Sequence, residues 1–286
     1  VYSEDVYGKL RGWSEAGLLL TRNLLPLMSP VARHPGWKAE ERETLGFLLS
    51  ACARASESAL LLVAYGQLWD AEVLVRSAFE GSLKSAYLLQ SPATFEERHQ
   101  QYRHDLFQIA LLKGHTKVAD LIGIMPENDH KSWRPYRDRL LSEEERAEIS
   151  SRYPKAMRRA LETKWGFTGL IGELSRSEDP LFSGFTGLAD GYAMASHILH
   201  ADIVGTAVPL DRDRRDEARR DAILLAHGVR LISDVHTCLQ LRLGVGYRYI
   251  GQDPAPLIDA HQRIAALTES FGKVYEDWMG VEYPDG

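Results

Sequence analysis

The stretch from Gln67 to Gln90, QLWDAEVLVRSAFEGSLKSAYLLQ, constrains the fold more than any other part of the chain. Its pattern predicts one helix with three stripes. Leu68, Ala71, Val75, Phe79, Ala86 and Leu89 recur at helical spacing and form an apolar stripe. Ser77, Gly81 and Ser85 sit four apart and form a small stripe, which lets another backbone come close. Glu72, Arg76, Glu80 and Lys84, also four apart, form a charged stripe. A helix that is apolar or small over most of its circumference is buried over most of its circumference. Its charges then face a narrow slot between helices, or a cavity, and this singles out Arg76 and Glu80.

A helix of that kind needs a core around it. The chain supplies one: 286 residues, 44% of them hydrophobic, fit one large domain or two small ones. The net charge of -6 leaves no global basic footprint for nucleic acid, although a local patch can still do that work. Cys52 and Cys238 fall on expected core faces far apart in sequence, so two buried reduced thiols are expected. No apolar run approaches the roughly 20 residues needed to span a bilayer. The N-terminal VYSEDVYGKL is acidic and amphipathic, unlike a signal peptide. The expectation is a cytoplasmic protein with no membrane partner.

The remaining segments also read as helices. Residues 3–28 form a first helix ended by Pro26 and Pro30, and 29–37 a loop. Residues 38–65 form a long helix with an acidic first turn, and Gly66 caps it. So short a link to the organising helix implies an antiparallel pair. After Ser91-Pro92, a helix is expected over about 93–113, ended by Gly114 and His115. Residues 123–140 read as an irregular excursion. Ser142 and Glu145 make a capping box for a short acidic helix. A short segment follows from Pro154 to Thr163, and Gly166, Gly169 and Gly172 loosen the next stretch. Residues 185–202 form a second buried helix, 203–210 a turn, 211–243 a long helix, and 255–279 a last one, with Gly244, Gly246 and Gly251 marking a loop. No alternating strand pattern exceeds four residues, so the fold class is all-α, a multi-helix bundle.

Several residues could carry chemistry. Arg76 and Glu80 are open to three readings: part of a solvated i,i+4 ladder, a buried pair that fixes helix register, or a site. Tyr192, Ser196 and His200 fall on one side of one helix at i, i+4, i+8. They make either a buried polar network or a serine–imidazole pair whose orienting acid and oxyanion hole are unidentified. Ferritin-like metal spacing occurs as Glu96-x-x-His99 and Glu127-x-x-His130, but no spacing repeats cleanly, so neither a metal nor a cofactor is assigned. The loose Arg-x4–6-His pattern of HEPN ribonucleases occurs three times, as Arg98/His104, Arg220/His227 and Arg230/His236. Arg98/His104 is the best placed, just after a helix start.

Arg76-Ser-Ala-Phe-Glu80 is followed by Tyr87-Leu-Leu and Ser91-Pro92, then Arg98 and Tyr102, Lys164-Trp165, and Tyr192-x3-Ser196-x3-His200. In this order and spacing the chain resembles an uncharacterised bacterial helical family, domain of unknown function 5677, which itself resembles HEPN-type proteins. The resemblance covers roughly residues 45–205. It implies an all-helical fold with Arg76, Glu80, Tyr192, Ser196 and His200 gathered near one another, and it supplies no reaction. The resulting expectation is a single HEPN-like helical domain over 1–286, with helices 211–243 and 255–279 packed on the family-like core, assembled as a homodimer. The leading functional expectation is a nucleic-acid-acting effector, an RNase of toxin or phage-defence type with RNA as partner. Its candidate residues are Arg76, Glu80, Tyr192, Ser196, His200, Arg98 and His104. The alternatives are a helical small-molecule enzyme, metal-dependent or not, and a non-catalytic interaction protein.

Overall fold

Each long apolar-striped segment forms a helix, and among the described residues there is no strand. The computed structural model describes residues 3–125, 130–177, 179–182 and 185–284, with backbone only over 185–190. Its main helices are α1 (Glu4–Leu24), α2 (Ala39–Ala64), α3 (Leu68–Leu88), α4 (Pro92–Gln100), α5 (Leu106–Ile124), α6 (Glu143–Arg152), α7 (Lys155–Trp165), α8 (Phe167–Ser175), α9 (Phe185–His200), α10 (Ile203–Asp213), α11 (Glu217–Ile250), α12 (Ala255–Thr268) and α13 (Phe271–Glu282). The fold is an all-α multi-helix bundle. Within the 1–286 span the helices divide into two compact units, Val1–Ser91 with Leu174–Gly286, and Pro92–Glu173.

The larger unit is built around α3. Gly66, at φ 71°, turns the chain between α2 and α3, and the Gln67 N–H donates back to the Leu62 carbonyl. The two helices then run antiparallel. Gly81 of α3 lies against Cys52 of α2, at matching distances from the turn, and a Cβ on Gly81 would fall 2.5 Å from the Cys52 Sγ. The small stripe thus makes the close contact it predicts at Gly81; Ser85 is buried and bonds to the Gly81 carbonyl, whereas Ser77 faces solvent. α11 packs along α3 and α1, and Leu10, Leu60, Val63, Ala71, Leu231 and Val235 join these three and α2 in one core. By length and composition α2 and α11 could each cross a membrane, contrary to the expectation of no such run. Both contribute to this core, as the long central helices of a bundle do.

Several expected boundaries are overturned. Gly244 and Gly246 do not end the long helix. α11 begins at Glu217, not 211, and continues to Ile250, where Gly251 at φ 65° terminates it. Gly246 is an interior contact: a Cβ there would lie 2.6 Å from Val31 Cγ2. Residues 203–210 are not a turn but most of α10. Asp202 caps that helix by accepting the Val204 and Gly205 N–H groups, each at 3.0 Å, and Pro209 costs it only one internal bond. The last helix is two, α12 and α13, broken at Glu269 and Ser270. The first helix stops at Leu24 and passes into a 3-10 turn, Leu25–Met28, and a short helix, Ser29–Ala32. The stretch loosened by Gly166 to Gly172 is largely the helix α8.

The smaller unit has its own core of Ile109, Leu112, Ile149, Tyr153 and Leu161. The helix expected over 93–113 does not end at Gly114. It runs from α4 through one π-helical turn, Gln101–Asp105, into α5 and on to Ile124. Two side-chain bonds hold the π turn: the Tyr153 hydroxyl donates to Asp105 Oδ1 at 2.8 Å, and the Trp165 indole donates to Gln101 Oε1 at 3.1 Å. In the irregular excursion, Lys131–Trp133 is a 3-10 turn and Arg134–Arg137 a helical turn. Ser142 and Glu145 form the expected capping box.

Candidate functional site

The charged stripe of α3 lies between α9 and α11, and its members meet different fates. Glu72 is buried, at 3% exposure, where an uncompensated carboxylate would cost several kcal/mol. α11 supplies the compensation. His227 Nε2 lies 2.8 Å from Glu72 Oε2, and Arg230 Nη2 donates to the same oxygen. Burial pushes the Glu72 carboxyl up, but the His227 hydrogen bond and the Arg230 charge outweigh it and hold the group below its ordinary range. Burial lowers His227, and the charges of Arg230 and Arg212 lower it further against the pull of Glu72. A neutral imidazole between an ionised carboxylate and an arginine has one good tautomer. Nε2–H donates to Glu72, and Nδ1 accepts from Arg212 Nη1 at 3.3 Å. Arg212 reaches this point from α10 and lies over the Trp69 ring, 4.7 Å from its centroid.

One turn on, Arg230 Nη1 donates to Asp234 Oδ2 at 2.9 Å. Burial raises the Asp234 carboxyl, Arg230 lowers it and Glu72 raises it again, so that it is pushed up to about 6. On α3, Arg76 Nη2 donates to the Tyr192 hydroxyl at 2.9 Å, with the guanidinium over the same ring. The hydroxyl donates on to Glu80 Oε2 at 3.3 Å, and Glu80 Oε1 takes the Lys84 ammonium at 2.7 Å.

Between these groups lies a cavity of about 370 Å³. Glu72, Val75, Arg76 and Phe79 of α3 form one wall, Gly191, Tyr192 and Met194 of α9 another, and Arg230, Asp234 and Cys238 of α11 a third, with Arg212 of α10 beside them. Gly191 lets Arg230 approach α9 closely: a Cβ there would stand 3.2 Å from Arg230 Nη1, and the guanidinium would have to give way.

The expected convergence is therefore partial. Arg76, Glu80 and Tyr192 meet, but the tyrosine hydroxyl sits between Arg76 and Glu80, whereas the sequence placed Glu80 in the middle. Ser196 is half-buried and His200 exposed, and no bond links either to Arg76 or Glu80. Eight residues along α9 put His200 about 12 Å from Tyr192, beyond the reach of the cluster. His197, next to Ser196, pairs instead with Asp202 at 2.6 Å and ties the end of α9 to the start of α10. Arg98 and His104 belong to the smaller unit. Arg98 is half-buried on α4, and His104, on the π turn, sets its ring edge-on to His99. Glu96 is exposed, His99 stacks on Phe95, and Glu127 lies outside the described residues. Among the described residues no three metal-ligating side chains gather.

His227, Arg230, Asp234 and Arg212 escaped the sequence reading as site residues. His227 and Arg230 drew notice only as halves of two Arg–His pairs; their structural partner is Glu72. His236, the other histidine of those pairs, is a core group between Thr21 and the Ile232 carbonyl. A signal did exist. His227, Arg230, Asp234 and Cys238 recur at i, i+3, i+7, i+11, a polar line down one face of α11.

The model of a family of unknown function, DUF5677, matches residues 42–218. The chain belongs to this family. The DUF5677 segment supplies the walls from α3 and α9 together with Arg212, while the α11 wall lies beyond it. No curated protein and no solved structure matches the chain.

Proposed function

We propose that this DUF5677 member is a small-molecule enzyme that works by acid–base chemistry in the cavity between α3, α9 and α11. The observation that supports this reading is Asp234. It is a carboxyl on the cavity wall, held by Arg230 and pushed up to about 6, and so able to exchange a proton near neutral pH. Asp234 is the proton-transferring group, Arg230 positions it, and the Glu72–His227 pair fixes Arg230 in turn. A cavity of about 370 Å³ suits a small substrate better than a polynucleotide strand. The test is a substrate screen over small esters, amides and phosphoesters with the full-length protein. Turnover found in the wild type should show an acid limb near pH 6 and should fall by roughly a hundredfold or more in an Asp234→Asn protein that circular dichroism shows to be folded. Turnover that survives the substitution sinks the reading.

A second reading, an RNase of HEPN-like type acting as a homodimer, draws on the smaller unit. There Arg98 and His104 flank the start of a π-helical turn, a backbone feature often found at functional sites. Under this reading RNA cleavage is lost in Arg98→Ala and His104→Ala, kept in Asp234→Asn, and accompanied by a dimer in sedimentation velocity. An RNase activity indifferent to both Arg98 and His104 removes it.

A further inference from the structure

The cavity has a direction. α3 and α11 run parallel along it, because Glu72 meets Arg230 at one level and Ser82 meets Arg242 further on. Entering at the Glu72 level, the wall residues are ionic. Two turns along they are Phe79 and Cys238, with Met194 from α9. A ligand that fills this space therefore has a polar end and an apolar end.

The charges at the polar end do not balance. Among the described residues three guanidiniums, Arg76, Arg212 and Arg230, face two carboxylates, Glu72 and Asp234. Arg230 is committed, because it bonds to both carboxylates. Among the described residues Arg212 bonds to no carboxylate; its contacts are the His227 ring nitrogen and the face of Trp69. Arg76 reaches Glu80 only through the Tyr192 hydroxyl, while Lys84 holds the other Glu80 oxygen, and the Arg76 Nε lies buried without a partner. Two arginines without direct carboxylate partners, Arg76 from α3 and Arg212 from α10, line the same cavity and leave a positive potential that an anion would satisfy, with the forked geometry that suits carboxylate or phosphate.

We infer that the cavity binds an amphipathic organic anion, with its carboxylate or phosphate head between Arg76 and Arg212 and its apolar body against Phe79, Met194 and Cys238. This rests on the reading that the cavity is the substrate site, and it names the class of substrate. Tyr192 contributes as the stacking platform that holds Arg76 in place, and Gly191 contributes by letting Arg230 lie close against α9.

The test is calorimetric titration of the full-length protein with four compounds: phenyl phosphate, benzoate, inorganic phosphate and benzyl alcohol. Phenyl phosphate or benzoate should bind, and whichever binds tighter identifies the head as phosphate or carboxylate. The neutral alcohol and the bare ion should each bind roughly tenfold more weakly or worse, since one lacks the charge and the other the body. Arg212→Met keeps the packing on Trp69 and should weaken the bound anion by roughly tenfold to a hundredfold, as should Arg76→Met. Met194→Glu, which puts a like charge on the α9 wall where the apolar body would lie, should abolish binding of both aromatic anions, so the inference stays testable if an arginine variant fails to fold. Asp234→Asn removes a like charge and should bind the anion at least as well as the wild type. Loss of turnover in that variant bears on the acid–base reading, and loss of anion binding in Arg212→Met bears on this one. Failure of both aromatic anions to bind, equal binding of benzyl alcohol, equal binding of inorganic phosphate, or undiminished binding in Arg212→Met would each overturn the inference.

Discussion

Glu72 and Arg76 stand one turn apart on the same helix and face the same cavity, yet they are opposite cases. Glu72 is enclosed and over-provided: His227 and Arg230 converge on one oxygen, and Arg212 completes the chain behind the imidazole. Arg76 is half-buried; among the described residues it bonds only to a neutral hydroxyl, and its Nε has no partner. A charge whose partners are all internal holds helices together. A charge left short of partners on a cavity wall is available to something that enters. The periodic ladder Glu72, Arg76, Glu80, Lys84 conceals this difference, because what decides it comes from α9, α10 and α11.

The comparison breaks most readily at Glu72. Glu72→Gln should cost roughly 3 kcal/mol, because it replaces a carboxylate only 3% exposed that serves the buried His227 as well as Arg230, which at 42% exposure keeps Asp234 and water as partners. Urea unfolding measures it, and a loss below about 1 kcal/mol would show that the network is not structural.

Asp234 lies between the two cases and sharpens the contrast through pH. Its folded value of about 6 stands above the ordinary 3.8, so the protonated form favours the fold. That stabilising contribution is complete below about pH 3.8 and is lost as the pH rises through about 6. With 19% of the side chain in water, the wild type should lose roughly 2–3 kcal/mol relative to Asp234→Asn between pH 4 and pH 7.5. Parallel stability profiles for the two proteins would contradict the raised value.

The smallest effect belongs to Tyr192. Tyr192→Phe keeps the ring under Arg76 and removes the hydroxyl that links Arg76 to Glu80. A cost of about 1 kcal/mol is expected for this partly buried link. In a double-mutant cycle with Arg76→Met most of that cost should disappear; additive costs would mean that the link carries no energy.

What could be read in the sequence follows from which residues speak for themselves. The α2–α3 hairpin was legible because Gly66 and the small position at Gly81 each have one plausible job. Gly244 and Gly246 do not: a glycine ends a helix or lets another chain come close, and only the presence of Val31 decides for the second at Gly246. α10 was read as a turn because its cap, Asp202, was counted as the last residue of the helix before it. At the site, Arg76, Glu80 and Tyr192 were found because they sit in helices with little other polar surface. Asp234 and Arg230 were missed because α11 opens with a run of charges, and two more looked like a continuation of its solvated face. His200 was included on its shared helix face and on the family resemblance; a shared face fixes direction around the axis, while the eight residues from Tyr192 carry it about 12 Å along the helix.

The π turn of the smaller unit amounts to one surplus residue in what would otherwise be a continuous helix from Pro92 to Ile124. It acts as an angular frameshift. Every side chain after Asp105 points where its neighbour would have pointed in an unbroken helix, so Phe95 on one side and Ile109 and Leu112 on the other reach their core positions in two different frames. Removing any single residue between Gln101 and Asp105 would leave the helix content almost untouched. It would also turn the whole of α5 by about 100° relative to α4, carrying Asp105 away from Tyr153 and Ile109 out of the core.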